Sequence, residues 1–222
     1  MDFFVVEKHP KSPIFSETAR TDFTFGESVR KGDAPRCPVC GAFVGMLESL
    51  PPIRVELETW GSEFGDCAFW MDSFLVSERF AEAYRSSGLQ GLTGFHQVEI
   101  LSHRAFGGVK TDPPIYFLVL PKVGSARIDA EASGVEWDSD SGSKCTNCRS
   151  GGGTLKRWKR VVLDEASWQG DDIFYPYVIP GTLTVSSRFK AWTDRHKFSN
   201  LILVPAIKSS HDFYPWEIAE RN

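Results

Sequence analysis

Two Cys-x-x-Cys pairs, Cys37/Cys40 and Cys145/Cys148, constrain the fold of this 222-residue sequence more than any other feature. The second pair repeats the first at an offset of 108 positions. Two residues between cysteines allow both sulfurs to turn toward one ion, and four thiolates are the ligand set of a tetrahedral structural zinc. The sequence therefore predicts that two distant parts of the chain meet at one metal site.

Other landmarks return at nearly the same offset. Trp60 returns as Trp168, and the pattern Val-Ser-x-Arg-Phe at 76–80 returns at 185–189. Self-similarity of this kind indicates that one supersecondary unit occurs twice. We expect an α+β fold of two tandem pseudo-repeats, with small antiparallel or mixed sheets and short helices, joined by the four-cysteine zinc site.

The repeat divides the sequence into five parts that we expect to pack as one globular domain. Residues 133–153 are rich in Ser, Gly and Asp, a composition typical of a linker. The predicted parts are an N-terminal extension with a short strand (1–36), the first repeat unit (37–103), connecting strands with a Ser/Gly-rich linker (104–144), the second repeat unit (145–207) and a C-terminal tail (208–222).

Apolar patterns predict the strands. Residues 3–6 form a short apolar run, and residues 53–58 alternate apolar and polar side chains with the period of a half-buried strand. The continuous apolar run at 115–120 predicts a buried strand, and 126–132 is expected to be its partner.

Capping residues predict one helix in each unit. Ser77 is a suitable N-cap for the first helix, and Gly88 is placed to end it. A second short helix is expected after Ser186 or Ser187. Arg79 and Arg188 occupy equivalent positions at the start of the two helices, where we expect them to pair with nearby acidic residues and fix each helix against its sheet.

Three kinds of chemistry compete for the cysteines. A zinc ion shared by Cys37, Cys40, Cys145 and Cys148 is our first interpretation, and Gly41 can supply the positive φ that such a turn often needs. A redox pair is the second alternative, although it would be expected at the start of a helix. Disulfide-paired or metal-free cysteines are the third. Because four thiolates leave no position for water, a zinc ion here is expected to be structural.

The remaining motifs do not predict catalysis. The sequence has no HExxH zinc motif, no GxSxG nucleophile elbow and no GxxxxGK[ST] phosphate loop. Cys67 lies outside the two pairs and is expected to be a small buried apolar residue. We therefore expect that the protein is not an enzyme.

The charge of the chain argues against broad binding of nucleic acid. The net charge is −4 and the isoelectric point is near 5.8, whereas binding through the phosphate backbone needs a basic face. The most basic stretch, 156–160, has Trp158 at its centre. It predicts either a contact to nucleic acid or an acidic partner, or a strand whose outward side chains are solvated.

The sequence also predicts where the protein works. No apolar run approaches the roughly 18 residues of a membrane span, and the first residues do not have the pattern of a signal peptide. Paired cysteines available for a metal suit a reducing compartment, so we expect a cytoplasmic protein without a membrane partner. The oligomeric state is not fixed by the sequence, and a homo-oligomer stays open.

Taken together, these motifs resemble those of the double-CXXCG motif family, a paralogous family expanded in myxobacteria. The resemblance covers residues 35–207. The sequence departs from the family pattern at Arg149, which follows the second cysteine pair in place of glycine. The matching features are Cys-Pro-Val-Cys-Gly at 37–41, Trp-Gly at 60–61, Phe-Trp at 69–70, the string at 74–80, the glycine pattern at 88–95, Cys-Thr-Asn-Cys at 145–148, the string at 168–174 and Val-Ser-x-Arg-Phe at 185–189.

The resemblance implies a binding protein, because some relatives are immunity proteins that neutralise contact-delivered toxins. We therefore expect a non-catalytic, zinc-stabilised immunity protein whose partner is a cognate protein toxin. The alternative is a zinc-ribbon-like regulatory module that contacts nucleic acid or another protein through the basic stretch at 156–160.

The shared metal site can be tested by elemental analysis, for which we expect one zinc ion per purified chain. Folding and metal binding are coupled at such sites, so Cys37→Ser or Cys145→Ser should each unfold or strongly destabilise the protein. Circular dichroism during thermal unfolding measures this loss. A purified chain that is fully folded without metal would contradict the prediction.

Overall fold

The computed structural model describes residues 2–7, 19–26, 29–71, 73–138, 145–149, 153–179 and 181–213. Much of the predicted Ser/Gly-rich linker, at 139–144 and 150–152, lies outside the described residues. The same is true of most of the predicted C-terminal tail and of residues 8–18 in the predicted N-terminal extension.

Strands dominate the described residues, and two α-helices accompany them. The helices are α1 (Glu78–Ser87) and α2 (Ser187–His196), with two short 3-10 helices at Glu165–Ser167 and Ala206–Lys208. The strands are β1 (Phe3–Glu7), β2 (Arg20–Phe25), β3 (Arg54–Trp60), β4 (Cys67–Trp70), β5 (Ser73–Ser77), β6 (Leu92–Gln97), β7 (Glu99–Ala105), β8 (Tyr116–Pro121), β9 (Val123–Ile128), β10 (Glu136–Trp137), β11 (Leu155–Trp158), β12 (Leu163–Asp164), β13 (Ile173–Tyr177), β14 (Thr184–Ser186), β15 (Ile202–Pro205) and β16 (His211–Asp212).

Two large mixed sheets contain most of these strands. The first has the order β6-β8-β5-β4-β2-β3-β7, the second has the order β12-β9-β13-β14-β1-β15, and β10, β11 and β16 form a small third sheet. Without β7, the first sheet has six strands that correspond to those of the second sheet read from β15 to β12. Each pair of neighbouring strands then has the same relative direction as its counterpart in the other sheet. Only β2 with β4, and β9 with β13, are parallel within the matching six strands. The mixed sheets and short helices agree with the expected α+β class.

Strand β1 lies inside the second sheet although it comes first in the sequence. It pairs antiparallel with β14 on one side and with β15 on the other. Strand β8 has the equivalent position in the first sheet, between β5 and β6. The N-terminal strand thus completes the sheet of the C-terminal half. The predicted division into five parts does not include this long-range pairing, and the predicted boundaries stay a prediction.

One predicted pairing is wrong. The run at 115–120 does form β8, but residues 126–132 do not pair with it, because β9 pairs with β12 and β13 in the other sheet. Only Lys122 separates β8 from β9, and one residue is too short for a β-hairpin loop. The chain therefore passes directly from the first sheet into the second.

Three large hydrophobic cores lie among the described residues. One core lies within the first sheet around Phe23 and Leu57, and another lies within the second around Ile128 and Phe174. The third core is shared, since strands of both sheets and both helices contribute to it. Cys67 is fully buried in this shared core, as predicted for a small apolar residue.

Both helices begin where the sequence predicts, and α1 also ends at the predicted glycine. Ser77 and Ser186 are the N-caps, and each hydroxyl oxygen accepts a hydrogen bond from the backbone N–H three residues later, at 3.3 and 3.2 Å. Gly88 ends α1 in the left-handed conformation with φ 71°. Lys197 takes the same conformation after α2, with φ 52°.

An aspartate connects each helix to its own sheet. Asp66 comes directly before the hairpin of β4 and β5, and Asp172 comes directly before the hairpin of β13 and β14. Asp66 accepts from the hydroxyl of the N-cap Ser77 at 2.9 Å and from Nε of Arg79 at 2.9 Å. Asp172 accepts from the hydroxyl of Ser186 at 2.8 Å and pairs with Arg188 at 2.9 Å. Both arginines thus pair with a nearby acid, as the sequence predicts. Burial by itself would raise the pKa of the Asp66 carboxyl, but the hydrogen bonds from Arg79 and from the serines around it lower that pKa overall.

The same arginines also connect the two halves. Arg79 donates to the carbonyl oxygen of His196 at the end of α2, at 3.1 Å. Arg188 donates to the carbonyl oxygen of Gly88 at the end of α1, at 2.6 Å. Because the last carbonyls of a helix have no partner inside the helix, each guanidinium satisfies an acceptor of the opposite helix. We call these paired contacts the reciprocal Asp–Arg clamp.

The loops that follow the two helices cross over in the same way. The backbone N–H of Gln90, after α1, donates to Asp172 at 2.9 Å, and that of Ser199, after α2, donates to Asp66 at 2.9 Å. A Cβ atom at Gly91 would lie 1.8 Å from the carbonyl oxygen of Ile173, so only glycine fits this crossing. The two halves are therefore held together by equivalent contacts in both directions.

The reciprocal clamp predicts that its two aspartates contribute similarly to stability. We expect Asp66→Ala and Asp172→Ala each to lower the free energy of unfolding by about 2–4 kcal/mol, because each removes a buried acceptor of several hydrogen bonds and one charge of an ion pair. Asp194→Ala is the control: it removes an exposed pair with Lys190 and should cost no more than about 0.5 kcal/mol. Urea unfolding followed by tryptophan fluorescence measures all three. A similar loss in the control would contradict the clamp.

Candidate metal centre

Each cysteine pair lies in a connection between two corresponding strands. The first is at the tip of an antiparallel hairpin between β2 and β3, closed by the bridges Lys31↔Ser49 and Arg36↔Phe43. We call residues 31–49 the first cysteine hairpin. The second pair lies between β10 and β11, which are antiparallel to one another and belong to the connection from β9 to β12. The two cysteine turns thus have equivalent places in the two sheets.

The four sulfurs converge although they come from distant parts of the chain. Sγ of Cys37 lies 3.8 Å from Sγ of Cys145, and Sγ of Cys40 lies 3.6 Å from Sγ of Cys148. All four lie within 4.8 Å of one another. A tetrahedral ion with zinc–sulfur bonds of about 2.3 Å would separate its ligands by about 3.8 Å. The four predicted residues are therefore brought together at a spacing that could hold a metal ion.

The two cysteine turns have the same backbone geometry. Gly41 has φ 74° and its N–H donates to the carbonyl oxygen of Cys37 at 2.9 Å. Arg149 has φ 58° and its N–H donates to the carbonyl oxygen of Cys145 at 2.9 Å. A non-glycine residue in the left-handed region costs roughly 1–2 kcal/mol. The Arg149 side chain forms an ion pair with Asp164 at 2.5 Å. The second turn thus has the geometry of the first without a glycine.

Neither cysteine turn has the surroundings expected of a redox pair. A thioredoxin-type motif begins a helix, whereas residues 38–40 and 146–148 form hydrogen-bonded turns. All five cysteines are free thiols. The geometry therefore favours the metal interpretation over the redox and disulfide alternatives.

A polar group that the sequence does not single out supports the sulfurs. Asn147, between the cysteines of the second pair, donates from Nδ2 to Sγ of Cys37 at 3.4 Å. Arg127 of β9 holds this amide in place by donating to the Asn147 side-chain oxygen at 2.8 Å and to its backbone oxygen at 2.5 Å. Such outer contacts orient metal ligands. Arg127 lies outside every motif, so no local signal in the sequence could identify it.

Hydrogen bonds to sulfur favour the thiolate form at two of the cysteines. The Asn147 amide lowers the pKa of Cys37 to about 6, more than burial raises it. Backbone N–H groups of Cys148 and Asn147 lower the pKa of Cys145. The Ala42 N–H and Cys148 lower the pKa of Cys40, but burial, Cys145 and Cys37 raise it overall. Since metal ligation requires thiolates, the site is partly prepared for a cation.

The site joins the first cysteine hairpin to the second sheet. Cys37 and Cys148 are buried together with Val44, and Val123 and Tyr177 of the second sheet pack against them. Cys40 is exposed to solvent. A metal ion here would therefore be shielded from solvent on the side of the second sheet and nearer to solvent on the side of Cys40.

The basic stretch at 156–160 agrees better with the solvated-strand interpretation. Arg157 lies between two acids, with Nε 3.2 Å from Glu136 and an Nη atom 3.1 Å from Asp212. Trp158 is buried in the core of the second sheet. Only part of this stretch therefore offers cations to a partner.

Comparisons with known proteins add no further identification. Neither the protein-family models nor the curated proteins searched give a match to the sequence. Within the described ranges, no helix is long and apolar enough to span a membrane.

The contact from Asn147 predicts an effect on metal affinity. Asn147→Ala should weaken zinc binding about 10-fold or more, because removing an outer-shell partner of a ligand typically costs 10–100-fold. Competition between the protein and a chromophoric zinc chelator measures the affinity. Thr146→Ala, an exposed position in the same turn, is the matched control and should leave the affinity unchanged. Equal affinities for the two variants would contradict a supporting role for the amide.

Proposed function

We propose that the protein is a non-catalytic binding protein stabilised by one structural zinc ion, with Cys37, Cys40, Cys145 and Cys148 as ligands. The convergence of these four sulfurs carries the proposal, because their spacing suits a tetrahedral ion. When bound, zinc would supply stability rather than chemistry, since four thiolates leave no open position for water. Free thiols are kept reduced in the cytoplasm, where we place the protein.

The two halves are, in this proposal, copies of one duplicated unit. The matching strand order of the two sheets supports this, with β1 closing the second copy as β8 closes the first. The reciprocal Asp–Arg clamp and the equivalent places of the cysteine turns support it as well. A pseudo-twofold axis would relate the halves, so that Cys37 faces Cys145 and Cys40 faces Cys148, as their distances suggest.

The partner we propose is a protein toxin, which the protein would bind and neutralise as an immunity protein. The resemblance of the motifs to the double-CXXCG family supports this role. The net charge of −4 suits a partner with basic surface. Two halves fixed by a metal site and a clamp would lose little conformational entropy on binding, which favours affinity. The alternative of a nucleic-acid module has less support, because Glu136 and Asp212 already neutralise Arg157.

Coexpression tests this function. Toxin-like reading frames adjacent to the gene are expressed one at a time in a sensitive host, with and without this protein. We expect the protein to restore growth against one of them. Cys145→Ser should protect less because the metal site is lost, whereas Thr146→Ala should protect fully. Failure of the unaltered protein to protect against any neighbouring toxin would contradict the immunity role.

A further inference from the structure

The first cysteine hairpin exposes four apolar side chains. Val39, Phe43, Met46 and Leu47 are 64%, 58%, 37% and 50% exposed, respectively. The position equivalent to Val39 in the second cysteine turn is Asn147, so the turn itself accepts a polar side chain. Clustered exposed apolar residues on a folded protein mark interaction sites.

Part of this apolar surface forms one wall of a groove. Met46 and Leu47 face strands of both sheets across a cavity of about 260 Å³ whose lining includes Leu120 and Tyr175. Ser73, which also lines the groove, pairs with Trp70, which is 40% exposed. We call this cavity the hairpin groove. Its volume accommodates two or three apolar side chains rather than a whole small ligand.

Two exposed acidic residues line the groove. Asp33 and Glu48 line it, are exposed, and have no ion-pair partner within the described part of the chain. Lys122, the cation of the lining, is paired with Asp171 at 2.5 Å. A partner with basic residues on either side of an apolar surface would match this distribution.

The backbone of the hairpin favours a helix over a strand as the occupant. Gly32 N–H bonds to Glu48 O at 2.8 Å, and Val44 N–H bonds to Pro35 O at 2.9 Å, so the groups near the groove pair within the hairpin. An added strand would need free backbone groups, whereas a helix needs only an apolar groove for side chains at i, i+3 and i+4. Methionine at such a surface adapts to the shape of the partner.

We infer that the hairpin groove binds an amphipathic helix of the partner protein, with apolar anchors in the groove and Lys or Arg beside Asp33 and Glu48. The inference rests on the proposed binding function and names the surface and the chemistry of the partner. A metal ion would hold the hairpin wall in place, because Cys37 and Val44 of the hairpin share one buried cluster with Cys148. Removal of the metal should therefore loosen the groove as well as the fold.

The inference is tested with a synthetic amphipathic helical peptide of leucines and lysines, titrated against the metal-loaded full chain by fluorescence anisotropy. A peptide with glutamate in place of every lysine is the charge control. We expect the lysine peptide to bind and the glutamate peptide to bind at least about 10-fold more weakly. The double variant Met46→Ser/Leu47→Ser, and separately Asp33→Lys/Glu48→Lys, should each weaken the lysine peptide by about 10-fold or more. Ile207→Ser, an exposed apolar position outside the groove, should change nothing.

Two results separate this inference from the proposed function. Peptide binding that is unaffected by Met46→Ser/Leu47→Ser, or equal for the two peptides, overturns the groove as a helix site. In the coexpression assay, Met46→Ser/Leu47→Ser should lose toxin protection. Full protection by this variant, with an unchanged unfolding midpoint, would contradict the groove as the partner-binding site but leave the immunity role intact. If the unaltered protein protects against no toxin, the proposed function fails, and the titration still decides whether the groove binds a basic helix.

Discussion

Four cysteine sulfurs within 4.8 Å of one another are the constraint on which the rest of the structure depends. Two unit charges 4 Å apart repel by about 4 kcal/mol at an effective dielectric constant of 20, so four thiolates need a cation between them. Closing a loop of roughly 100 residues costs about 4.7 kcal/mol. Binding of zinc to a structural site contributes about 10–16 kcal/mol, which exceeds that cost. In the proposed account, the metal makes a contact between distant parts of the chain favourable.

The reciprocal Asp–Arg clamp complements the metal site at a different place. Asp66 and Asp172 each bind the helix of their own half and the loop that follows the helix of the other half. The shared core lies between the two sheets, where Phe80 and Phe189 of the two helices contact each other. In the proposed account, the metal site and the clamp both join the halves, and the hairpin groove serves binding.

The parts of the structure that could be predicted from sequence are those encoded by local patterns. The two Cys-x-x-Cys pairs predict the four-cysteine cluster, and Ser77 and Gly88 mark the ends of α1. Arg79 and Arg188 have the same position in the two repeat units, and this position predicts that each pairs with a nearby acidic residue. Each of these features depends on residues close in sequence or on one simple repeat.

The parts that could not be predicted depend on long-range pairing. Strand β1 has no local signal for its place between β14 and β15, and the single residue Lys122 sends the chain from one sheet to the other without a periodic pattern. Arg127 supports the cysteines only because β9 brings it beside Asn147. The left-handed conformation of Arg149 belongs to the turn around the second cysteine pair, and residue propensity alone favours glycine there.

X-ray absorption at the zinc edge of the purified protein tests the central claim most directly. The account predicts a single zinc environment with four sulfur ligands at about 2.3 Å. Nitrogen or oxygen ligands in the first shell, or two zinc ions each bound by one cysteine pair, would contradict it.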